Sequence, residues 1–295
     1  MRTPVQTVES WRDAYARQDW DTAFATMHED IEILEAPSLP YGGLWKGHEQ
    51  ARELHERVRA HWAELPLYAA WAQLFDLGAF DRGHLVMLVD EIISPLTGRG
   101  QTVLQLPLIE LLFVRGGRIS EIRVFYFDTD VVRGDRRPLQ PVQSDDLFRR
   151  PPVLLDTAGA PELSILDRYR RLCAERDFEG LTSAVLAADI EVHEAASLPY
   201  GGRYRGLAGY VELFRKVSTC WEHLPLTDGV EQTVVAGPDR GSTLVVVLDS
   251  ITSRIRGTGI VLDMPLAELL WIKDQRISAI RPYYFDTAAI CEAHG

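Results

Sequence analysis

The sequence predicts an α+β protein built as two tandem copies of one domain. Three observations carry this: a long internal repeat, the same order of helices then strands in each copy, and a Pro- and charge-rich stretch between the copies. Two hundred and ninety-five residues suit two domains of ordinary size. Residues 30–47, DIEILEAPSLPYGGLWKG, and 189–206, DIEVHEAASLPYGGRYRG, share twelve of eighteen positions. Trp62 then matches Trp221, Leu65-Pro66-Leu67 matches Leu224-Pro225-Leu226, and Asp90 matches Asp249. After a one-residue deletion, Pro107, Glu110, Arg123, Tyr126, Phe127 and Asp128 match Pro265, Glu268, Arg281, Tyr284, Phe285 and Asp286. We therefore place the domains at 1–133 and 161–295, with a linker at 134–160.

Within copy one, Val8, Trp11 and Tyr15 fall at helical spacing in residues 6–27. A short strand over 31–36 follows, then the PSLPYGG loop and an amphipathic helix over 48–62. Strands are expected at about 70–80, 84–94, 101–114 and 118–128. Helices followed by a meander imply helices packed on one face of a curved antiparallel sheet.

The net charge of −12, with no basic block, argues against a nucleic-acid partner. No apolar run is long enough to span a membrane, and the N-terminus has no apolar stretch resembling a secretory signal. Cys173, Cys220 and Cys291 lie far apart without metal-ligand spacing, which points to a reducing cytoplasm. The eight histidines show neither HxH nor HExxH spacing, so no metal is expected, and no glycine-rich nucleotide motif suggests a cofactor. Trp62, Trp71 and Trp221 read as core.

Gly116-Gly117 suits a two-residue type I′ turn. Counting outward from it puts Glu110 opposite Arg123 and Gln105 opposite Asp128. The same count from Asp274-Gln275 puts Glu268 opposite Arg281 and Asp263 opposite Asp286. Glu110–Arg123 and Glu268–Arg281 then read as structural ion pairs. Facing Asp263 and Asp286 would push one carboxyl pKa up, unless both lie at a solvated strand end. On β alternation Ile31, Ile33 and Glu35 share a side, as do Ile190, Val192 and Glu194, so Glu35 and Glu194 either end apolar stripes at the lip of an expected cavity or, as edge-strand glutamates, bind the backbone of the SLPYGG loop. A desolvated carboxylate gains the basicity that proton abstraction needs. Tyr41 and Tyr200, each before a Gly pair, read as loop geometry or as part of a lid over a ligand.

HEDIEILEAP, PLIELLFVRGGRISEIR and the closing FYFDT resemble the NTF2-like superfamily, closest to SnoaL-like polyketide cyclases and ketosteroid-isomerase-like proteins. The resemblance covers nearly all of both copies. It implies two such domains paired as a pseudo-dimer within one chain, with a homodimer of whole chains open as well. It also implies a proton-shuttling acid on the first strand, where Glu35 and Glu194 fall, and an oxyanion-binding tyrosine on the first helix, where Tyr169 falls but copy one has Trp11. The second oxyanion donor of ketosteroid isomerases falls at Ile109 and Ala267, and the SnoaL-type aspartate at Val124 and Pro282, so both are missing.

Copy two, with Glu194, Tyr169, Asp263, Asp286 and Tyr284, offers the fuller catalytic set; copy one offers Glu35, Tyr126, Asp128 and Gln105. The expected function is a cofactor-independent acid–base enzyme, cyclase or isomerase, acting on a small hydrophobic carbonyl-bearing natural-product intermediate. Epoxide opening is the alternative chemistry, and a non-catalytic ligand-binding or assembly protein the alternative class.

Overall fold

The computed structural model describes residues 2–64, 72–98, 103–133, 161–222 and 232–295. The expected linker, Trp71, Leu65–Leu67, His223 and Leu224–Leu226 lie outside them. Two compact units result, one for each copy.

In unit 1, helix α1 (Pro4–Ala16) starts at a capping box: the Thr3 hydroxyl accepts from the Gln6 N–H, while the Gln6 side chain accepts from the Thr3 N–H. The single helix expected over 6–27 is two. Gln18, at φ 57°, ends the first, and Asp19 caps α2 (Trp20–Ala25) by accepting from the Thr22 N–H. Strand β1 (Met27–Glu35) leads through the PYGG turn into β2 (Gly43–Lys46), a short strand that the sequence pattern does not predict. Gly42 has no alternative there: a Cβ would lie 2.1 Å from the Ala36 carbonyl oxygen, and Gly201 meets Ala195 in the same way at 2.2 Å. Helix α3 (Gly47–His61) follows, then β3 (Gln73–Phe80), β4 (Gly83–Pro95), β5 (Val103–Arg115), β6 (Arg118–Tyr126) and a short α4 (Thr129–Arg133).

Unit 2 repeats the order with α5 (Pro161–Glu175), α6 (Phe178–Gly180), a π-helical turn (Leu181–Val185), β7 (Leu186–Glu194), β8 (Gly202–Arg205), α7 (Gly206–Cys220), β9 (Gln232–Asp239), β10 (Ser242–Arg254), β11 (Val261–Lys273), β12 (Arg276–Tyr284) and α8 (Thr287–His294). The π turn absorbs one extra residue. From the capping Asp19 to the start of β1 is 27 − 19 = 8 positions, whereas from Asp177 to the start of β7 is 186 − 177 = 9. A single insertion in a helical turn is accommodated by widening it.

The sheet orders are β2-β1-β6-β5-β4-β3 and β8-β7-β12-β11-β10-β9. The sheets are mixed rather than antiparallel throughout: β1 runs parallel to β6, and β7 to β12. Their connection is a long excursion through the rest of the unit, which is what parallel neighbours require.

The expected turns form. Gly116, Gly117, Asp274 and Gln275 all have φ between 49° and 79°. The expected register does not survive past them. A β-bulge lets Phe113 pair with Glu121 while Val114 pairs with Ile119, so Ser120 is the extra residue and its hydroxyl donates to the Phe113 carbonyl. Ser278 and Trp271 repeat this in unit 2. Beyond the bulge Glu110 faces Val124, and Glu268 faces Pro282. The Glu110–Arg123 and Glu268–Arg281 pairs are therefore corrected, because a slip of one residue moves each carboxylate to the opposite face from its supposed partner. Arg123, 2% exposed, instead donates to Glu121, which Arg82 also contacts at 3.3 Å.

Candidate active site

Each unit holds a cavity between its helices and its sheet, about 100 Å³ in unit 1 and about 60 Å³ in unit 2. Strand alternation delivers Ile33 and Glu35 from β1, Leu108 and Glu110 from β5, and Ile122, Val124 and Tyr126 from β6 to the first cavity. Val192, Glu194, Leu266, Glu268, Ile280 and Tyr284 do the same in the second. The register beyond the bulge thus puts a second carboxylate on the same cavity wall as the first in both units, which a turn-based count could not reveal.

Glu35 is 4% exposed and Glu194 5%, and one carboxylate oxygen of each, Oε2, lacks any hydrogen-bond partner. Burial holds the Glu35 pKa well above the usual carboxylate range; the Glu110 charge adds to this, and a hydrogen bond from Tyr126 opposes it. Glu194 is raised in the same way, with Glu268 and Tyr284 in those roles. Glu268 is itself pushed up to about 7, by burial first and by Asp249 second, against the pull of Arg170. The hydrogen bond on Glu35 is the end of a relay. The Trp62 indole donates to the Tyr41 hydroxyl (3.2 Å), which donates to Tyr126 (3.2 Å), leaving the Tyr126 proton for Glu35. Trp221 likewise donates to Tyr200 (3.3 Å), and Tyr200, Tyr284 and Glu194 continue the series.

Other expected residues are placed differently. Tyr41 and Tyr200 are buried behind the cavities as relay members and are not among the lining side chains, because the PYGG turn folds inward. Gln105 is exposed, and its amide donates to Glu91 at 3.1 Å. Asp263 accepts from Thr252 on the neighbouring strand (3.1 Å), while Asp286 caps α8 through the Ala289 N–H (3.2 Å). The facing Asp263–Asp286 pair is thus corrected, again because the bulge shifts the register. Asp128, at the position equivalent to Asp286, is buried just before α4. Trp11 lines the first cavity and Tyr169 the second.

The remaining walls differ. In unit 1, α1 contributes Tyr15 and α3 contributes Ala51 and His55. Tyr15 Oη lies 3.0 Å from His55 Nδ1, and His55 Nε2 is buried without a partner. Burial lowers the His55 pKa to about 4, so the ring is neutral near pH 7. Burial, then Glu110 and Glu35, raise the Tyr15 phenol, which therefore keeps its proton. In unit 2 the equivalents are Cys173, Tyr210 and Phe214. Tyr210 donates to Tyr169 (3.1 Å) and lies 3.7 Å from Cys173 Sγ, whose pKa burial pushes up to about 11. Nothing in the sequence marks Tyr15, His55 or Asp90 as site residues, because an aromatic, a lone histidine and a strand aspartate carry no motif; Asp90 lines the first cavity and is 7% exposed.

Among the described residues, no three metal-type side chains converge and no helix is long and apolar enough to cross a membrane. No protein-family model matches the sequence, and no curated protein matches it. Solved structures similar to one half of the chain include an NTF2-like protein from Burkholderia xenovorans (21% identity, 45% of this chain and 95% of that one, TM-score 0.36). Another is an NTF2-like protein from Burkholderia thailandensis (24%, 47% and 100%, TM-score 0.37). A third is a putative SnoaL-like polyketide cyclase from Mesorhizobium loti (18%, 42% and 100%, TM-score 0.33). The fold class read from the sequence, two tandem α+β units, is the one observed.

Proposed function

We propose that unit 1 is a cofactor-independent acid–base enzyme of the cyclase or isomerase type, acting on a small hydrophobic molecule with a carbonyl group. The observation that carries this reading is Glu35: a carboxylate buried in an apolar cavity, with one oxygen lacking a partner and a second carboxylate, Glu110, on the same cavity wall. In its ionised form such a group is a stronger base than an exposed glutamate. Glu35 takes a proton from the carbon next to the carbonyl and returns it elsewhere on the substrate. The Tyr126 hydroxyl, fixed by Tyr41 and Trp62, orients the carboxylate. Two carboxylates in one dry cavity favour holding a proton between them. In this reading Glu110 keeps it and donates a hydrogen bond to the developing oxyanion.

Tyr15 is the second donor. Its phenol keeps its proton, lines the cavity and lies 3.0 Å from Nδ1 of the neutral His55. Each such donor contributes about 3–4 kcal/mol to lowering the barrier. In this reading Glu110, one residue later, takes the part of the oxyanion-binding acid that is missing at Ile109. We favour unit 1 over the expected unit 2 because Asp263 and Asp286 do not meet, and because Tyr210 occupies part of the second cavity and hydrogen-bonds Tyr169. The test is exchange of α-protons for deuterium in a panel of small cyclic ketones, followed by NMR. Exchange that exceeds buffer and disappears in Glu35→Gln supports the reading; exchange unchanged by Glu35→Gln refutes it.

A further inference from the structure

The second cavity brings two buried carboxylates and four aromatic rings together. Glu194 comes from β7 and Glu268 from β11; Tyr169 comes from α5, Tyr210 and Phe214 from α7, and Tyr284 from β12. The other lining side chains are aliphatic. Tyr210 and Phe214 stand about one helical turn apart and so share a face of α7. Glu194 is 5% exposed, and its Oε2 has no hydrogen-bond partner. Burial, then the Glu268 charge, oppose its ionisation, and a hydrogen bond from Tyr284 favours it. Arg170, which does not line the cavity, acts on Glu268. A carboxylate placed like Glu194 either keeps its proton or ionises beside a positive charge that enters with a ligand.

Unit 1 shows what is particular to this cavity. Ala51 and His55 stand there in the places of Tyr210 and Phe214. In unit 2 the wall therefore gains a phenol ring, and a phenyl ring replaces one that carries a basic nitrogen. The Tyr210 hydroxyl donates to Tyr169 (3.1 Å), and Phe214 stands perpendicular to Phe178 with ring centroids 4.7 Å apart, which fixes both rings before a ligand arrives. Aromatic rings and carboxylates both attract ammonium groups, most strongly where water is excluded. A space of about 60 Å³ holds roughly four to six water-sized groups, which limits the ligand to a few carbon atoms.

We propose that the second cavity binds a small alkylammonium ion, which donates an N–H to Glu194 Oε2 and sets its carbon atoms among Tyr169, Tyr210, Phe214 and Tyr284. Glu268 adds a second negative group on the same wall. The site belongs to unit 2 and does not depend on the catalytic reading of unit 1.

Saturation-transfer NMR of the full chain at constant ionic strength tests this, at about pH 8, where an alkylamine is still protonated. The probes are isopropylammonium chloride and isopropanol, a neutral molecule of the same shape. The expected result is saturable binding of isopropylammonium, about tenfold or more tighter than that of isopropanol. Glu194→Gln should weaken it about tenfold or more, while Glu35→Gln should leave it unchanged. If Glu194→Gln fails to fold, Glu268→Gln takes its place with the same expectation. No saturable binding of isopropylammonium, isopropanol bound as tightly, or binding that survives the unit 2 substitution overturns the proposal. Loss of binding in Glu35→Gln would move the ion to unit 1 and overturn it as well.

Discussion

The two cavities share a skeleton and differ in their walls. Glu35 and Glu194, Glu110 and Glu268, Tyr126 and Tyr284, Tyr41 and Tyr200, and Trp62 and Trp221 occupy equivalent places on the same strands and turns. Over this common base unit 1 sets Trp11, Tyr15, Ala51 and His55, and unit 2 sets Tyr169, Cys173, Tyr210 and Phe214. Ala51 leaves space that the Tyr210 ring occupies in its own unit, in keeping with the smaller second cavity. The lesson is that the sheet supplies the buried acids in both units, while two helices decide whether room and a proton donor remain beside them.

The sharpest way to break this comparison is to remove each acid in turn. Glu35→Gln should reduce deuterium exchange by about 10²–10⁴-fold and Glu194→Gln should leave it nearly unchanged; the opposite outcome would transfer the chemistry to unit 2. In the unmodified protein the exchange rate should rise with pH through a midpoint well above that of an ordinary glutamate, since the base must ionise and burial opposes this. Tyr15→Phe should cost about 10²–10³-fold in rate if the phenol is an oxyanion donor. An unchanged rate would leave Glu110 as the sole donor.

Two stability measurements sharpen the register. Arg123→Gln takes from the buried Glu121 one of its two arginine partners, leaving Arg82, and should cost about 1.5–3 kcal/mol, read from urea melts. A double-mutant cycle of Arg123 with Glu121 should show strong coupling, and one with Glu110 almost none; strong coupling to Glu110 would restore the pairing counted from the turn. A final effect of comparable size belongs to Glu268. Its folded pKa, about 7, lies above the ordinary 4.5, so its contribution is full below pH 4.5 and is lost as pH rises towards 7. That loss is about 3 kcal/mol. Glu268→Gln should flatten this part of the pH–stability curve, whereas an unaltered slope would assign it to Glu35 and Glu194, which are shifted in the same direction.

Much of the fold was legible because its causes are local. The alternation of Ile31, Ile33 and Glu35 shows which way Glu35 points without reference to any partner strand. Gly116-Gly117 names its own turn. The strand β2 was not legible, since four residues after a Gly pair carry too little pattern. The bulge at Ser120 was hidden as well, because a hydroxyl bonding a carbonyl across the ladder leaves no trace in hydrophobic spacing. With it went the true neighbours of Glu110 and Arg123.

By itself, then, the sequence determined the duplication, the α+β class and the inward glutamate that ends the first strand of each copy, since each depends on periodicity within a single segment. Only the tertiary structure decided that a second carboxylate shares each cavity, that Tyr15 meets His55 across forty residues, and that Tyr210 crowds the second cavity. These depend on register and packing between segments distant in the chain, where one extra residue in one strand reverses the face on which every following side chain lies.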